Sequence, residues 1–559
     1  MTSVLVIGDD LRSFLAIARS LGRKGLVVHA APFDFSSPAL SSRYISGVHR
    51  LPPYALSANA WLERIIAIIA DHKIDLIIPC DDRSLLPLHH HRAALAAQVA
   101  VPNDEAMDVF FDKVKTRALA ERCSVPIADG GPVSVANAQR FGLPLALKPR
   151  SSMDLERIGH RRAVSVIRDA AALSTALEHA LPSKCYFLES FFAGDGVGIS
   201  VLAENGKIRL AFQHRRLQEA SETGGSSSRV SEALDPKMLD AVNSMCVAQR
   251  MHGVAMFEFR HNRATGAFVL LEVNARFWGS LALAVASGVD FPAALIDLFT
   301  GRQIEHLSGY KAGIERHDLT GEYYRILVQS ETASSLTGRI FRLAANLPKL
   351  FLKIITQAPQ FDSYAVDDIL PWQDEKRRVR ASLLRTLTSR LPVLPSSRKR
   401  RGVERLNRLT SNAAMPLQLL FVCHGNICRS PFAAAKLETL LGKNICVKSV
   451  GTLLQQNRHA PEDALLAAST FGINLDSHRS RYAYFEVLNH ADVIFIFDDR
   501  NAFELSQLGV DTSKLIRLGD LIGVRVIADP YGLGRSAFLR CYEQISAAVG
   551  VIANELTVQ

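Results

Sequence analysis

The sequence predicts a multidomain protein of the α/β class, on three observations. The chain is 559 residues long, which corresponds to three or four domains at roughly 100–200 residues each. Near its start, "SVLVIGDD", "LRSFLAIARSLGRKG" and "LVVHAA" read as strand, helix, strand. A second unit follows, with the helix "AWLERIIAIIADHK" and the buried strand "IDLIIPC"; this alternation builds parallel sheets. From Leu417 a new alternation begins with "LQLLFVC", a helix from about residue 431, "ICVKSVGT" and "ADVIFIFD".

The first segment, residues 1 to about 100, carries only Gly8 in its first turn, so the GxGxxG dinucleotide fingerprint is absent. From about residue 105 the pattern changes to antiparallel strands joined by glycine turns. "FGLPLALKP", "CYFLESFFAGDGVGISVLAENGKIRLAFQH" and the hairpin "GVAMFEFRHNRATGAFVLLEVNARF" carry it. Residues 338–356 show apolar residues at helical spacing between Arg339, Arg342, Lys349 and Lys353. This is expected to be a helix packed on its own domain, interrupted at Pro348; a membrane-surface helix is the competing reading.

Composition excludes several classes. Hydrophobic residues make up 48% and charged residues 21%, an ordinary soluble balance. No apolar run approaches the roughly 18 residues that span a bilayer. "MTSVLVIGDD" enters a strand directly, with none of the features of a signal peptide. The eight cysteines are scattered and form no CxxC pair. That argues against a disulfide framework and a thiolate zinc site, and for a reducing cytoplasm. The formal charge of +10 is local: residues 376–408 hold twelve Lys/Arg against Glu404, leaving the rest of the chain at −1. This stretch, with "LPVLPSSRKRRG" inside it, reads as a solvated linker, and no specific nucleic-acid partner is expected. "HHH" at 89–91 points three ways from a helix and reads as surface.

In the hairpin, a turn centred on Thr265 pairs residue i with 530 − i, placing Glu258 opposite Glu272 with Asn274 on the same face. Opposed like charges destabilise a strand pair. A shared Mg²⁺ or Mn²⁺ would remove that penalty, and oxygen ligands suit either ion. Arg276 would project on the same side, able to meet an anionic substrate. A solvated face with register slipped by one is the alternative. Together with "FFDKVKTRALAERCSVPIA", "LPLALKP", "FLESFFAGDGVGISV" and "LLEVNARFWGS", this hairpin resembles the ATP-grasp superfamily, notably its carbamoyl-phosphate-synthetase-like and carboxylate–amine ligase members, over roughly residues 1–310. The resemblance implies ATP as cofactor, with Lys113 and Lys148 on the phosphates, Glu189 at the adenine hinge and Asp195 near the ribose. It implies Glu258, Glu272 and Asn274 as metal ligands, Arg276 on substrate, and a carboxylate activated as an acyl phosphate for an amine. One departure is the loop after Lys148, "RSSMDLERIGH", with only Gly159 where the family is glycine-rich. "SETGGSSS" is a candidate covering loop.

"FVCHGNICRSP" at 421–431 sets Cys423 and Arg429 six apart between a strand and a helix. Such a loop can turn successive N–H groups inward as an anion nest. Gly425 permits a tight path, and Asn426 tolerates a left-handed backbone or pins the loop. Arg429 offers a planar fork, Ser430 reads as a cap, and Pro431 marks the first turn. The helix end and Arg429 would stabilise a thiolate at Cys423. His424, Ile427 and Cys428 complete the loop. "VIADPYGLG" supplies Asp529 as candidate proton donor, with Tyr531 to line the pocket.

The two motifs, with "SVGT" at 449–452, "HRSR" at 478–481 and a strand ending in Asp498, resemble the low-molecular-weight protein tyrosine phosphatases over residues 417 to about 555. The resemblance implies a phosphocysteine intermediate and a phosphotyrosine protein or aryl phosphate as substrate. Ile427, where phosphoarginine phosphatases typically carry threonine, favours the aryl phosphate. Cys428 is either a partner for a reversible disulfide with Cys423 or an inert wall.

The domains expected are a Rossmann-like pre-ATP-grasp domain (1–104), an ATP-grasp α+β domain (105–310), a helical extension and basic linker (311–415), and a phosphatase domain with a parallel α/β sheet (416–559). The function expected is a bifunctional phosphatase and ligase. The alternative is a non-catalytic nucleotide-binding module that regulates the phosphatase.

Overall fold

The computed structural model describes every residue except 1, 55–56, 154, 156–157, 159–163, 171–172, 175, 178–184, 222–223, 305–308, 332–335, 391–394, 412–415, 442–444, 454–456, 484, 508–509, 511, 532–533 and 559. Gly159 with residues 154, 156, 157 and 160 of its loop, Glu222 and Thr223 of the candidate covering loop, and residues 391–394 of the expected linker lie outside the described residues. The chain divides into two compact units, Met1–Ser382 and Leu383–Gln559.

The first unit opens with a parallel five-stranded sheet in the order Gly47–Val48, Val27–Ala31, Ser3–Ile7, Leu76–Pro79, Gln98–Val99. Its helix Ala58–His72 starts where Ser57 accepts from the Ala60 N–H, and it buries Trp61, Ile65, Ile68 and Ile69 at helical spacing. An antiparallel four-stranded sheet then carries Lys148 on Leu145–Pro149 beside Tyr186–Ser190. An antiparallel six-stranded sheet follows, in the order Ala267–Asn274, Gly253–Asn262, Asp195–Glu204, Lys207–Ser221, Gly224–Glu232, Glu315–His317.

The hairpin register is Glu258 opposite Glu272 and Met256 opposite Asn274. Nearer the turn, Phe259 faces Leu270 and Asn262 faces Ala267, one residue out of step, because a bulge intervenes. The turn itself is therefore half a residue short of Thr265, and the bulge restores the expected pairing at the glutamates.

Within residues 311–415, several described segments pack into the folded units. Glu315–His317 is the edge strand of the six-stranded sheet. Further on, Asp368 accepts from Arg19 at 2.8 Å and Asp362 pairs with Arg229, all buried. The helix Leu336–Thr356 runs through Pro348 without a break.

In the second unit four parallel strands lie in the order Ile445–Gly451, Leu417–Cys423, Val493–Ile496, Leu515–Arg517. The helices Arg429–Leu440 and Arg535–Val558 pack together, with Phe432 stacked on Tyr542. The basic stretch contributes a helix here, Pro395–Thr410, whose Leu406 is fully buried in this core. Asn407 Nδ2 donates to Glu555 at 2.8 Å. Val403, Leu406 and Leu409 fall at helical spacing among the charges, so a run that reads as linker by composition is an amphipathic helix.

Candidate active sites

Cys423 ends the strand Leu417–Cys423, and Arg429 begins the helix that follows. The Asn426 N–H donates to Cys423 Sγ at 3.2 Å, and Ser430 Oγ lies 3.0 Å from the same sulfur. Asn426, with φ +49°, is the left-handed residue of the loop, rather than Gly425. Its Nδ2 donates to Ser430 Oγ at 2.9 Å and Ser449 Oγ at 3.0 Å. Its Oδ1 accepts from the Arg481 N–H at 2.8 Å, and its carbonyl lies 2.7 Å from His478 Nε2. One buried amide thus fastens the loop to the "SVGT" and "HRSR" segments. Ser430 is not a cap: Cys428 stands at the cap position, and Ser430 turns its hydroxyl onto Cys423 and the Val450 carbonyl from inside the first turn.

Arg429 is 2% exposed. Its Nη1 donates to Asp498 at 2.6 Å and to the Ile527 carbonyl at 3.1 Å, its Nη2 to Asp529 at 2.8 Å, and its buried Nε has no partner among the described residues. Burial works to lower the guanidinium pKa, but Cys423, Asp529 and Asp498 together raise it, so the charge is permanent. Asp529, at 43% side-chain exposure, reaches solvent. Beside the loop, His424 Nδ1 is 2.9 Å from Glu504, and Arg500 Nη2 is 2.9 Å from His424 Nε2. Burial would raise Glu504, yet hydrogen bonds from His424, Thr452 and Arg500 hold it below the usual carboxylate range. Burial, with Cys423 adding to it, pushes the Cys428 thiol well up, so Cys428 is no second nucleophile.

In the first unit, Glu258 accepts from Arg216 at 2.5 Å and from Asn274 Nδ2 at 3.1 Å. Glu272 lies 3.1 Å from Lys113 Nζ, which also donates to Ser152 at 2.8 Å. The repulsion between the two glutamates is thus relieved by Arg216 and Lys113, and a cation is not required for that purpose. Arg276 does not stand open to an anion: Asp82 holds it at 2.5 Å, and it donates to the Phe277 carbonyl and Asn274 Oδ1. Lys148 and Arg117 both pair with buried Glu189. Asp195, at the start of its strand, meets Arg263 at 2.9 Å. The donors on Glu258, Glu272 and Asn274 are all oxygens once the Asn274 amide turns, a set that fits Mg²⁺ or Mn²⁺.

Two family models match the chain: low molecular weight phosphotyrosine protein phosphatase over residues 418–559, and ATP-grasp in the biosynthetic pathway with Ter operon over residues 184–321. The probable low molecular weight protein-tyrosine-phosphatase EpsP of Ralstonia nicotianae is 32% identical over 133 residues, covering 23% of this chain and 90% of that protein. The C-terminal unit belongs to the low molecular weight protein-tyrosine-phosphatase family. The phosphatase Etp of Escherichia coli is 28% identical over 131 residues, 23% of this chain and 88% of that protein. Residues 184–321 are an ATP-grasp domain. Pyruvate carboxylase of Aspergillus niger is 25% identical over 274 residues, 44% of this chain but 22% of that protein. Among solved structures, a biotin carboxylase complex from Campylobacter jejuni superposes with a TM-score of 0.45 at 17% identity, over 56% of this chain and 74% of that one.

Cys423, Arg429 and Asp529 fall inside the phosphatase match, and Glu189, Asp195, Glu258, Glu272, Asn274 and Arg276 inside the ATP-grasp match; Lys113 and Lys148 precede it. Sequence reasoning missed Arg216, an arginine on a neighbouring strand with no motif around it, and Arg117, which lies four residues after Lys113 inside "FFDKVKTRALAERCSVPIA". It also missed Glu504, which lies some 80 residues beyond His424.

Proposed function

We propose that the protein is bifunctional, a tyrosine phosphatase joined to an ATP-dependent ligase. In the C-terminal site the Cys423 thiolate attacks the phosphorus of an aryl phosphate, held by the inward N–H groups and the Arg429 fork. Asp529 releases Arg429 to the arriving dianion and gives its proton to the leaving aryl oxide. It then takes a proton from the water that hydrolyses the phosphocysteine. The observation that carries this reading is the convergence on one sulfur of the Asn426 N–H and the Ser430 hydroxyl, beside an arginine already holding the acid.

In the N-terminal site, Lys113 and Lys148 leave their carboxylate partners for ATP phosphates, Glu189 and Asp195 face adenine and ribose, and Arg276 orients the substrate once it is released from Asp82. Glu258, Glu272 and Asn274 would hold Mg²⁺ or Mn²⁺, which neutralises phosphate charge when bound. The products are an acyl phosphate of a small carboxylic acid and then its amide with an amine. Among the described residues no helix is long and apolar enough to cross a membrane; with the thiol chemistry, this supports work in the cytoplasm.

The test is a paired assay on the full chain: p-nitrophenyl phosphate hydrolysis near pH 6, and substrate-dependent ADP release with Mg²⁺ across a library of amino and carboxylic acids. Cys423→Ser should silence only the first and Glu272→Gln only the second. Hydrolysis that survives Cys423→Ser removes the phosphatase mechanism. ADP release that survives Glu272→Gln removes the proposed metal site.

A further inference from the structure

Away from both sites, three histidines far apart in sequence meet at the edge of the five-stranded parallel sheet. His29 lies on the strand Val27–Ala31, His49 follows the edge strand Gly47–Val48, and His72 ends the helix Ala58–His72. His29 and His49 are buried, at 7% and 8% exposure, while His72 is exposed. The three rings surround one point, with centroids 5.0, 4.7 and 4.5 Å apart. One nitrogen from each lies within 4.8 Å of the others, and His29 Nδ1 is 2.8 Å from His49 Nε2.

We propose that His29, His49 and His72 form a site for a divalent first-row transition ion of the zinc type. Imidazole nitrogens are the preferred ligands of such ions, and three of them with an open fourth position make a complete protein shell. At Zn–N distances of about 2.0–2.1 Å, tetrahedral ligand nitrogens stand about 3.3 Å apart. The buried pair needs to open by about 0.5 Å, and His72 to swing in by about 1.5 Å, from its solvent-exposed position. The proton shared by His29 and His49 shifts to the outer nitrogen of its own ring, so the ion enters between neutral imidazoles.

Two further features agree. A Cβ on Gly47 would lie 2.9 Å from His29 Nδ1 and 3.5 Å from His49 Nε2, so glycine there keeps the space beside the two nitrogens clear. His72 sits in the last turn of its helix, where the partial negative charge favours a cation. An ion here would tie a helix end to two strands, clamping the sheet edge without touching nucleotide or phosphate.

The experiment uses tag-free full-length protein, stripped with chelator and titrated with Zn²⁺ by calorimetry and with Co²⁺ by visible spectroscopy. The expected result is one equivalent bound with nitrogen-dominated Co²⁺ bands and a higher melting temperature. His72→Gln, an exposed change that leaves the sheet intact, and His49→Gln should each weaken binding at least ~10-fold, no less than loss of an outer-shell partner does. His90→Gln and Glu272→Gln should bind as wild type, which sets aside the "HHH" run and the hairpin carboxylates. Absence of Zn²⁺ binding, or binding unchanged in His72→Gln and His49→Gln, overturns the site.

Discussion

Gly451 is the residue on which the phosphatase loop rests, and Gly451→Ala tests that. A Cβ at this position would lie 2.8 Å from both the Asn426 nitrogen and the His424 carbonyl, and 2.9 Å from Asn426 Cβ. Ordinary contact begins at 3.4 Å, so about 0.6 Å must be found. The strand cannot yield readily: the Gly451 N–H donates to the Arg481 carbonyl at 2.8 Å, and its own carbonyl accepts from Ala483 at 2.8 Å. The loop therefore moves, and with it the Asn426 N–H that faces Cys423 Sγ at 3.2 Å. Overpacking of this kind costs about 1–3 kcal/mol. A 1 Å misplacement at a reacting centre can cost about 100-fold in rate, so kcat/KM for p-nitrophenyl phosphate should fall by roughly 10–100-fold. Inhibition by inorganic phosphate should weaken in parallel, while ADP release stays unchanged. The assay is steady-state hydrolysis with a phosphate inhibition series on the full chain. A variant within threefold (~0.7 kcal/mol) of wild type in both quantities refutes the reasoning.

Asp529→Asn should slow phenyl phosphate hydrolysis by about 100-fold or more while sparing p-nitrophenyl phosphate comparatively, because the better leaving group needs less proton donation; equal losses on both substrates count against its role as the acid. Leu406→Ala, which empties a fully buried position, should cost about 2–5 kcal/mol and lower the temperature at which phosphatase activity is lost. No change would return the basic stretch to a linker. Burial first, with Asp318 adding, raises buried Glu375 to about 7 from an unfolded value near 4.5. The folded state holds that proton more tightly, so this stabilisation is full below about pH 4.5 and is lost as pH rises to about 7. Glu375→Gln should flatten that slope in tryptophan-fluorescence melts, since Trp61, Trp278 and Trp372 all lie in the first unit; a slope equal to wild type contradicts the assignment.

Both α/β alternations were legible because the central parallel strands, Ser3–Ile7, Leu76–Pro79, Leu417–Cys423 and Val493–Ile496, are buried on two faces and read as apolar runs between helices. The phosphate loop was legible for a different reason: its chemistry is packed into eleven consecutive residues. What stayed hidden was long-range. Arg216 and Arg117 neutralise carboxylates across strand and helix neighbours; nothing around Arg216 marks it, and Arg117, though inside a recognisable segment, pairs with a Glu189 that is 72 residues away. Ser430 satisfies the rule for a cap, but its hydroxyl found a closer demand at the sulfur. The helix Pro395–Thr410 was masked by charge, since its apolar stripe is narrow and needs the partner core to reveal it. The histidine trio is spread over 43 positions, whereas the conspicuous "HHH" run shares no single centre.

The bulge beside Glu258 has a consequence for how the strand Ala267–Asn274 tolerates change. Before it, the even-numbered Phe268 and Leu270 join the core; beyond it, the odd-numbered Val273 and Ala275 do. The strand behaves like two half-strands joined by a dislocation, with parity reversed at Leu271. Deleting that single residue would close the dislocation, joining Leu270 and Val273 in one continuous alternation with Glu272 and Asn274 still on the opposite face. A saturation-mutagenesis map should show polar substitutions rejected at Leu270 on one side of Leu271 and at Val273 and Ala275 on the other.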